Sequence, residues 1–359
     1  CMKKACYING ISSLSPQSTA EEENFDFQQI QTFQKPVLQV AFKNYKKLIK
    51  PVAMRRMSKS VKMGVFTAAS ALIDAEVKTP TSILTGTGMG CKQDSDIFLE
   101  NLLLQNEELL SPSKFVQSTH NTVGGQVALY LKSKAYNFTY VQGSASFESA
   151  LLDAQLSILT EEKPHQILVG GIDEISENTI GLLQLDQQIK NEPEIKNLQL
   201  LDYPSKGSII GEGAHFFVIS EEKTATSYAQ LLDLHLENAI EVEEVAIKTK
   251  QFLAQNQLQA SDIDLIILGN NGDKDFDTYF QPLQHEFKQT PQVFYKHLVG
   301  ESYTASAFGM QLGVKILKAQ FIPEAYRLNA IQPQKAIKKV LLYNQFRGKN
   351  HSWMLLAHV

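Results

Sequence analysis

The sequence predicts an α/β fold built from two similar halves, each a sheet packed between helices. Three observations predict it. Short β-rich runs alternate with helical stretches from end to end, the pattern of strand–helix–strand units around buried sheets. These runs fall into two sets that resemble each other in order. In each set an apolar strand enters a glycine-containing turn, Ile83-Leu-Thr-Gly-Thr-Gly in the first and Ile266-Ile-Leu-Gly-Asn-Asn-Gly in the second.

The first set of strands reads at 5–11, 81–85, 139–142, 166–169 and 214–219, and the second at 231–236, 264–268, 292–295, 340–343 and 352–356. Each is a short apolar or β-branched run bounded by polar or turn residues. Between them lie helices. The stretch 57–75 has Ser58 as its N-cap and places Val61, Val65, Ala68, Ala69 and Leu72 on one face. Helical periodicity also marks 121–130, 149–159, 242–256 and 305–319, while 185–205 is polar and Pro-interrupted and reads as a long surface loop or short helix. The halves are expected to meet near 221–226, giving domains at 2–222 and 223–359.

Composition narrows the function. Of 359 residues, 43% are hydrophobic, enough to bury a large core without disulfide or metal staples. The 34 Lys and Arg against 38 Asp and Glu leave −4 with the signs mixed, which removes the electrostatic footprint of a nucleic-acid binder. Apolar runs of about six residues, such as 167–172, are far short of the ~20 that a membrane span needs. Met2 reads as the initiator with Cys1 an addition ahead of it, and no apolar signal region follows. Cys6 and Cys91 then make no disulfide framework, which points to a reducing, cytoplasmic setting. The histidines show no metal-ligand spacing. The Thr85–Gly90 glycines lack the Lys-Ser/Thr of a phosphate loop, so no cofactor is expected.

Five motifs then occur in one order: Met54-Arg-Arg-Met-Ser, Thr85-Gly-Thr-Gly-Met-Gly, Val169-Gly-Gly-Ile-Asp-Glu, Gly211-Glu-Gly-Ala and Lys296-His-Leu-Val-Gly. Together they resemble the β-ketoacyl-acyl-carrier-protein synthases of the thiolase superfamily, over nearly the whole chain. The resemblance implies a thiolase-like duplicated αβαβα five-layer fold, a dimer, and condensation of an acyl thioester with a malonyl thioester. That chemistry takes a Cys at a strand-to-helix elbow and two His that stabilise the enolate left by decarboxylation.

This sequence departs at all three positions. The elbow aligns on Val141-Gln-Gly-Ser-Ala-Ser-Phe and places Ser144 where Cys belongs; a one-residue slip would put inert Ala145 there. Asn271 stands for the first His and Glu301 for the second, while the family's Lys is kept as Lys296. The terminal Phe-Gly turn, which carries the oxyanion hole and gate, survives as Phe346 and Gly348. Asn271 offers one neutral hydrogen bond. An ionised Glu301 only accepts and repels both the malonyl carboxylate and the enolate. Ser144 needs an adjacent base. Losing such a constellation costs on the order of 10⁴–10⁶ in rate, so condensing activity is expected to be absent.

The resemblance is therefore nearest the chain-length factors, which pair with an intact ketosynthase in acyl-carrier-protein-dependent fatty-acid, polyketide or aryl-polyene synthesis. Expected partners are an acyl carrier protein and an intact ketosynthase as heterodimer partner, or a second copy as homodimer, with neither nucleic acid nor membrane. Two other readings stand beside this one. In the first, Ser144 is an acyl-accepting nucleophile with His297 as base. In the second, the old acyl tunnel binds a chain without chemistry.

Overall fold

Among the described residues, twelve strands organise the fold: β1 (Cys6–Leu14), β2 (Val37–Leu38), β3 (Ser82–Gly86), β4 (Tyr136–Tyr140), β5 (Gln166–Asp173), β6 (Ile210–Gly211), β7 (Gly213–Ser220), β8 (Ala229–Ala239), β9 (Leu265–Leu268), β10 (Gln292–Phe294), β11 (Lys339–Phe346) and β12 (Lys349–Ala357). The structure, a computed structural model, describes residues 4–22, 26–108, 110–160, 165–192 and 194–359; Cys1 and Met2 lie outside the described residues. Ten strands form one hydrogen-bonded sheet in the order β10-β9-β11-β12-β8-β1-β7-β5-β3-β4, and β2 pairs with β6. The seam is narrow, with Cys6, Tyr7 and Ile8 of β1 against Leu231, Gln230 and Ala229 of β8.

Duplication shows in the topology. Outward from the seam, each half runs its first, fifth, fourth, second and third strand. In both, the fourth, second and third strands are parallel while the fifth is antiparallel to its neighbours.

Side-chain alternation then builds layers. Ile167 and Val169 face a central core that holds the Ser146–Thr160 and Ala305–Ala319 helices, together with Ile267, Val340 and Leu342 of the second half. Leu168 faces the other way, onto the Lys59–Asp74 and Thr122–Leu131 helices. Ile266, Leu341 and Trp353 cover the opposite outer face against the Glu244–Gln255 helix. The result is the five-layer αβαβα arrangement of the thiolase-like fold.

The expected elements lie where the periodicity puts them, with ends shifted by a few residues. Ser58 caps its helix by accepting from the Val61 amide at 3.3 Å. The segment 185–205 differs from a plain surface loop. Ile189, Ile195 and Leu200 are buried, and a 3₁₀ turn forms at Asn197–Asp202. Buried Lys190 draws the chain inward by donating to the Tyr203 carbonyl and to both the carbonyl and hydroxyl of Ser205. Among the described residues no helix is long and apolar enough to cross a membrane.

The motifs mark where loops lock together. Asp173 accepts from the Thr87 hydroxyl and the Gly88 and Met89 amides, each at 3.0 Å. Glu174 accepts from the Ser60 and Gln93 amides at the starts of two helices. Glu212 accepts from the Val40 and Ile175 amides and from Lys59. Gly211 lets β6 lie directly on the neighbouring backbone, since a Cβ there would sit 1.6 Å from the Val299 carbonyl oxygen. Gly181 is the opposite case, a helical glycine with open space around it. Gly211→Ala should therefore cost at least about 3 kcal/mol in thermal denaturation, whereas Gly181→Ala should add about 0.5–1 kcal/mol by removing backbone entropy from the unfolded chain.

Candidate functional site

The elbow is a sharp strand-to-helix turn. After β4, the chain passes through Gly143 at φ 54°, a conformation that favours glycine, and one 3₁₀ turn before the Ser146–Thr160 helix. Ser146 clasps the turn: its hydroxyl accepts from the Gln142 amide at 2.8 Å and reaches the Gly143 carbonyl at 2.6 Å. Ser144 stands at the elbow, only 2% exposed, and accepts from the Asn350 side-chain amide at 2.9 Å. An amide is no general base. His297 bonds instead to the Ala325 carbonyl at 2.8 Å and stacks on Phe294 with ring centres 3.8 Å apart. Burial pushes its imidazole down to about 3. Ser144 and His297 therefore do not form a hydrogen-bonded pair, and the serine lacks the activation a nucleophile requires.

Glu301 is the centre of the second cluster. Its Oε2 accepts from Lys296 Nζ and from Asn271 Nδ2, both at 2.7 Å. Lys296 is fully buried, and Glu301 nearly so. The backbone fixes the position: Glu301 N–H donates to the Ile209 carbonyl at 2.8 Å, and its carbonyl accepts from the Gly211 amide at 2.9 Å. Asn271 is held as firmly. Its N–H donates to Asp277, its side-chain oxygen accepts from the Asp273 amide, and its carbonyl accepts from Ser208. The sequence leads one to expect Asn271 to offer a donor to substrate, but the structure turns an N–H of its amide onto Glu301. The same holds for Lys296. At its centre this cluster presents a carboxylate to a ligand, the wrong sign for stabilising an enolate.

In front of this cluster opens a cleft whose walls include Met89, Ile210, Tyr303 and Phe346. Asn271 and Glu301 line it, while Lys296 lies behind Glu301. Phe346 meets Tyr303 with ring centres 5.1 Å apart. The following Arg347 and Gly348 both have positive φ and make the two-residue turn between β11 and β12. Arg347 pairs with Asp186 at 2.9 Å. Gly348 packs beneath Tyr279 and does not line the cleft. Ser144 does not line it either. Of the six candidate residues, Asn271, Glu301 and Phe346 share the cleft; Lys296 supports it, and Ser144 and Gly348 lie apart. The sequence motifs do not single out Tyr303 or Asn350. An aromatic two residues beyond Glu301 is a usable signal for the first; nothing local marks Asn350.

Two further carboxyls are buried nearby. Burial pushes Asp173 up to about 6 against the three hydrogen bonds it accepts. Burial likewise pushes Glu148 up to about 7, opposed by a hydrogen bond from Ser352 at 3.1 Å and by the charge of Lys296.

The architecture is the thiolase-like fold of the ketosynthase structures. Residues 29–179 match the family model of the beta-ketoacyl synthase N-terminal domain. No curated protein matches it in sequence. Similar solved structures include the ishigamide ketosynthase/chain length factor, 18% identical, with 99% of this chain and 100% of that chain covered and a TM-score of 0.78. A ketosynthase in complex with its chain length factor from Xenorhabdus doucetiae is 16% identical, with 99% and 98% covered and a TM-score of 0.75. A chain in the structure of a type II PKS acyl-carrier protein in complex with its ketosynthase bound to the hexaketide is 14% identical, with all of both chains covered and a TM-score of 0.78.

Glu148 generates a pH prediction. Its raised folded pKa means the folded chain holds this proton longer than the unfolded chain does. The burial penalty is absent below the ordinary value of 4.5 and fully present above about 7. Glu148→Gln keeps an acceptor for Ser352 and removes the charge. The melting temperature of the variant relative to the native protein should rise steadily from about pH 5 to about pH 8, and a flat difference would contradict the assignment.

Proposed function

We propose that this chain is a non-condensing, chain-length-factor-like subunit that works beside an intact ketosynthase in acyl-carrier-protein-dependent polyketide or fatty-acid synthesis. The observation that carries the proposal is the Glu301 clasp. One carboxylate takes both donors that would otherwise face a developing enolate. The unactivated Ser144 argues the same way. The fold shared with ketosynthase/chain-length-factor structures supports the class of pathway, and one of those structures includes an acyl-carrier protein.

The test is carbon dioxide release from malonyl thioesters. The purified protein should release none above background. Glu301→His alone should not restore release, because it leaves the buried charge of Lys296 without its carboxylate, a loss worth about 3–5 kcal/mol of stability. Release that disappears in Ser144→Ala would overturn the proposal.

Assembly follows from β4. Among the described residues it ends the sheet, paired only with β3, and carries Tyr136 (54% exposed), Phe138 (46%) and, just beyond, Val141 (47%). The rings of Tyr136, Phe138 and Tyr140 form a row with successive centres 6.3 and 4.9 Å apart. An unpaired aromatic edge is an aggregation hazard that burial against another chain removes. We take β4 to be the dimer edge, self-paired when the protein is alone and paired with the ketosynthase when that is present. Light scattering at micromolar concentration should show a dimer, and a stable monomer would refute both forms.

A further inference from the structure

The geometry points to Tyr303 as the residue that closes the cleft off from the elbow, and so decides which part of an entering ligand can approach Ser144. The inference rests on reading the cleft as the route of an incoming acyl-carrier arm. Tyr303 follows Glu301, whose backbone is pinned on both sides by β6 and its neighbour. It precedes Thr304, which packs where Gly171 has no side chain and leads into the Ala305–Ala319 helix. The ring is therefore held from both ends of a short turn.

Its seat is Gly88. A Cβ on Gly88 would lie 2.4 Å from Cβ, Cγ and Cδ2 of Tyr303, so the motif glycine provides the space that the ring fills. The other edge of the ring reaches the elbow, where a Cβ on Gly143 would lie 3.9 Å from Cδ1. Its third neighbour is Phe346, on the hairpin side. The ring thus bridges the Thr87–Gly90 loop, the elbow and the terminal hairpin, at the inner wall of the cleft. Two independent facts agree with a closed wall. Tyr303 and Phe346 line the cleft whereas Gly143 and Ser144 do not, and Ser144 is almost wholly inaccessible. An extended thioester arm entering the cleft meets Glu301 and Asn271 and stops at the aromatic pair.

Access to position 144 is measured by placing a thiol there. In Ser144→Cys, alkylation of the introduced thiol by iodoacetamide, followed by peptide mass spectrometry, should be at least about tenfold slower than in the same chain unfolded in urea. Adding Tyr303→Ala should raise the folded-state rate at least about tenfold, while Tyr303→Phe, which keeps the ring, should leave it slow. If the alanine variant does not fold, Tyr303→Leu makes the same comparison with more apolar volume retained. Rapid alkylation with Tyr303 in place overturns the inference, as does an unchanged rate once the ring is gone. Either result leaves the Glu301 argument intact, since that is read by carbon dioxide release; conversely, release from the native protein would refute the non-condensing reading without touching the wall.

Discussion

The rest of the site depends on one close backbone approach, that of Gly211 to the Val299–Glu301 segment. Ile210 and Glu301 bridge in parallel, with the Glu301 amide donating to Ile209 and the Gly211 amide donating to Glu301. This contact ties a strand of the first half to the loop of the second half that carries Lys296, Glu301 and Tyr303. No residue with a side chain fits at 211. With the backbone of Glu301 fixed, its carboxylate has one place to go, between Lys296 and Asn271. The clasp and the aromatic wall are consequences of that placement.

Around the contact, buried carboxylates hold the loops together at an electrostatic cost. Asp173, Glu174 and Glu212 accept backbone amides at loop and helix starts that would otherwise be unpaired. Burial raises Asp173 to about 6 and Glu174 to about 7. Such groups favour the folded chain below the ordinary carboxylate range and lose that advantage as pH rises through these values. Buried His215 and His297 act in the opposite direction. Each is pushed down to about 3 by burial, so the unfolded chain gains protons below about 6.5 that the folded chain refuses. The two tendencies bracket the protein on the acid and neutral sides.

The chemical consequence is a cluster with a carboxylate at its centre. In an oxyanion-stabilising site, donors point at the place where negative charge develops. Here the donors point at a resident carboxylate, and the cleft beyond them is bounded by rings. A buried ion pair of this kind is weak evidence for stability, and each partner holds the other in place. At this cluster a ligand meets the Glu301 carboxylate, an acceptor.

Much of this was legible in the residues, and the limits are physical. Strand and helix positions follow from periodicities of two and 3.6 and from local caps such as Ser58, which depend only on neighbours in the chain. The sequence by itself therefore determined the alternating elements, the paired halves and the identities at Ser144, Asn271, Lys296 and Glu301. It did not determine how those side chains are used. Whether Asn271 donates to a ligand or to Glu301 is decided by a contact spanning 30 residues, and the partner of Ser144 lies 206 residues away. The aromatic wall likewise needs Gly88, Gly143, Tyr303 and Phe346 brought together from four separate segments. Only tertiary structure decides such matters, because the direction of a hydrogen bond and the closing of a route depend on which distant groups the packed layers set face to face.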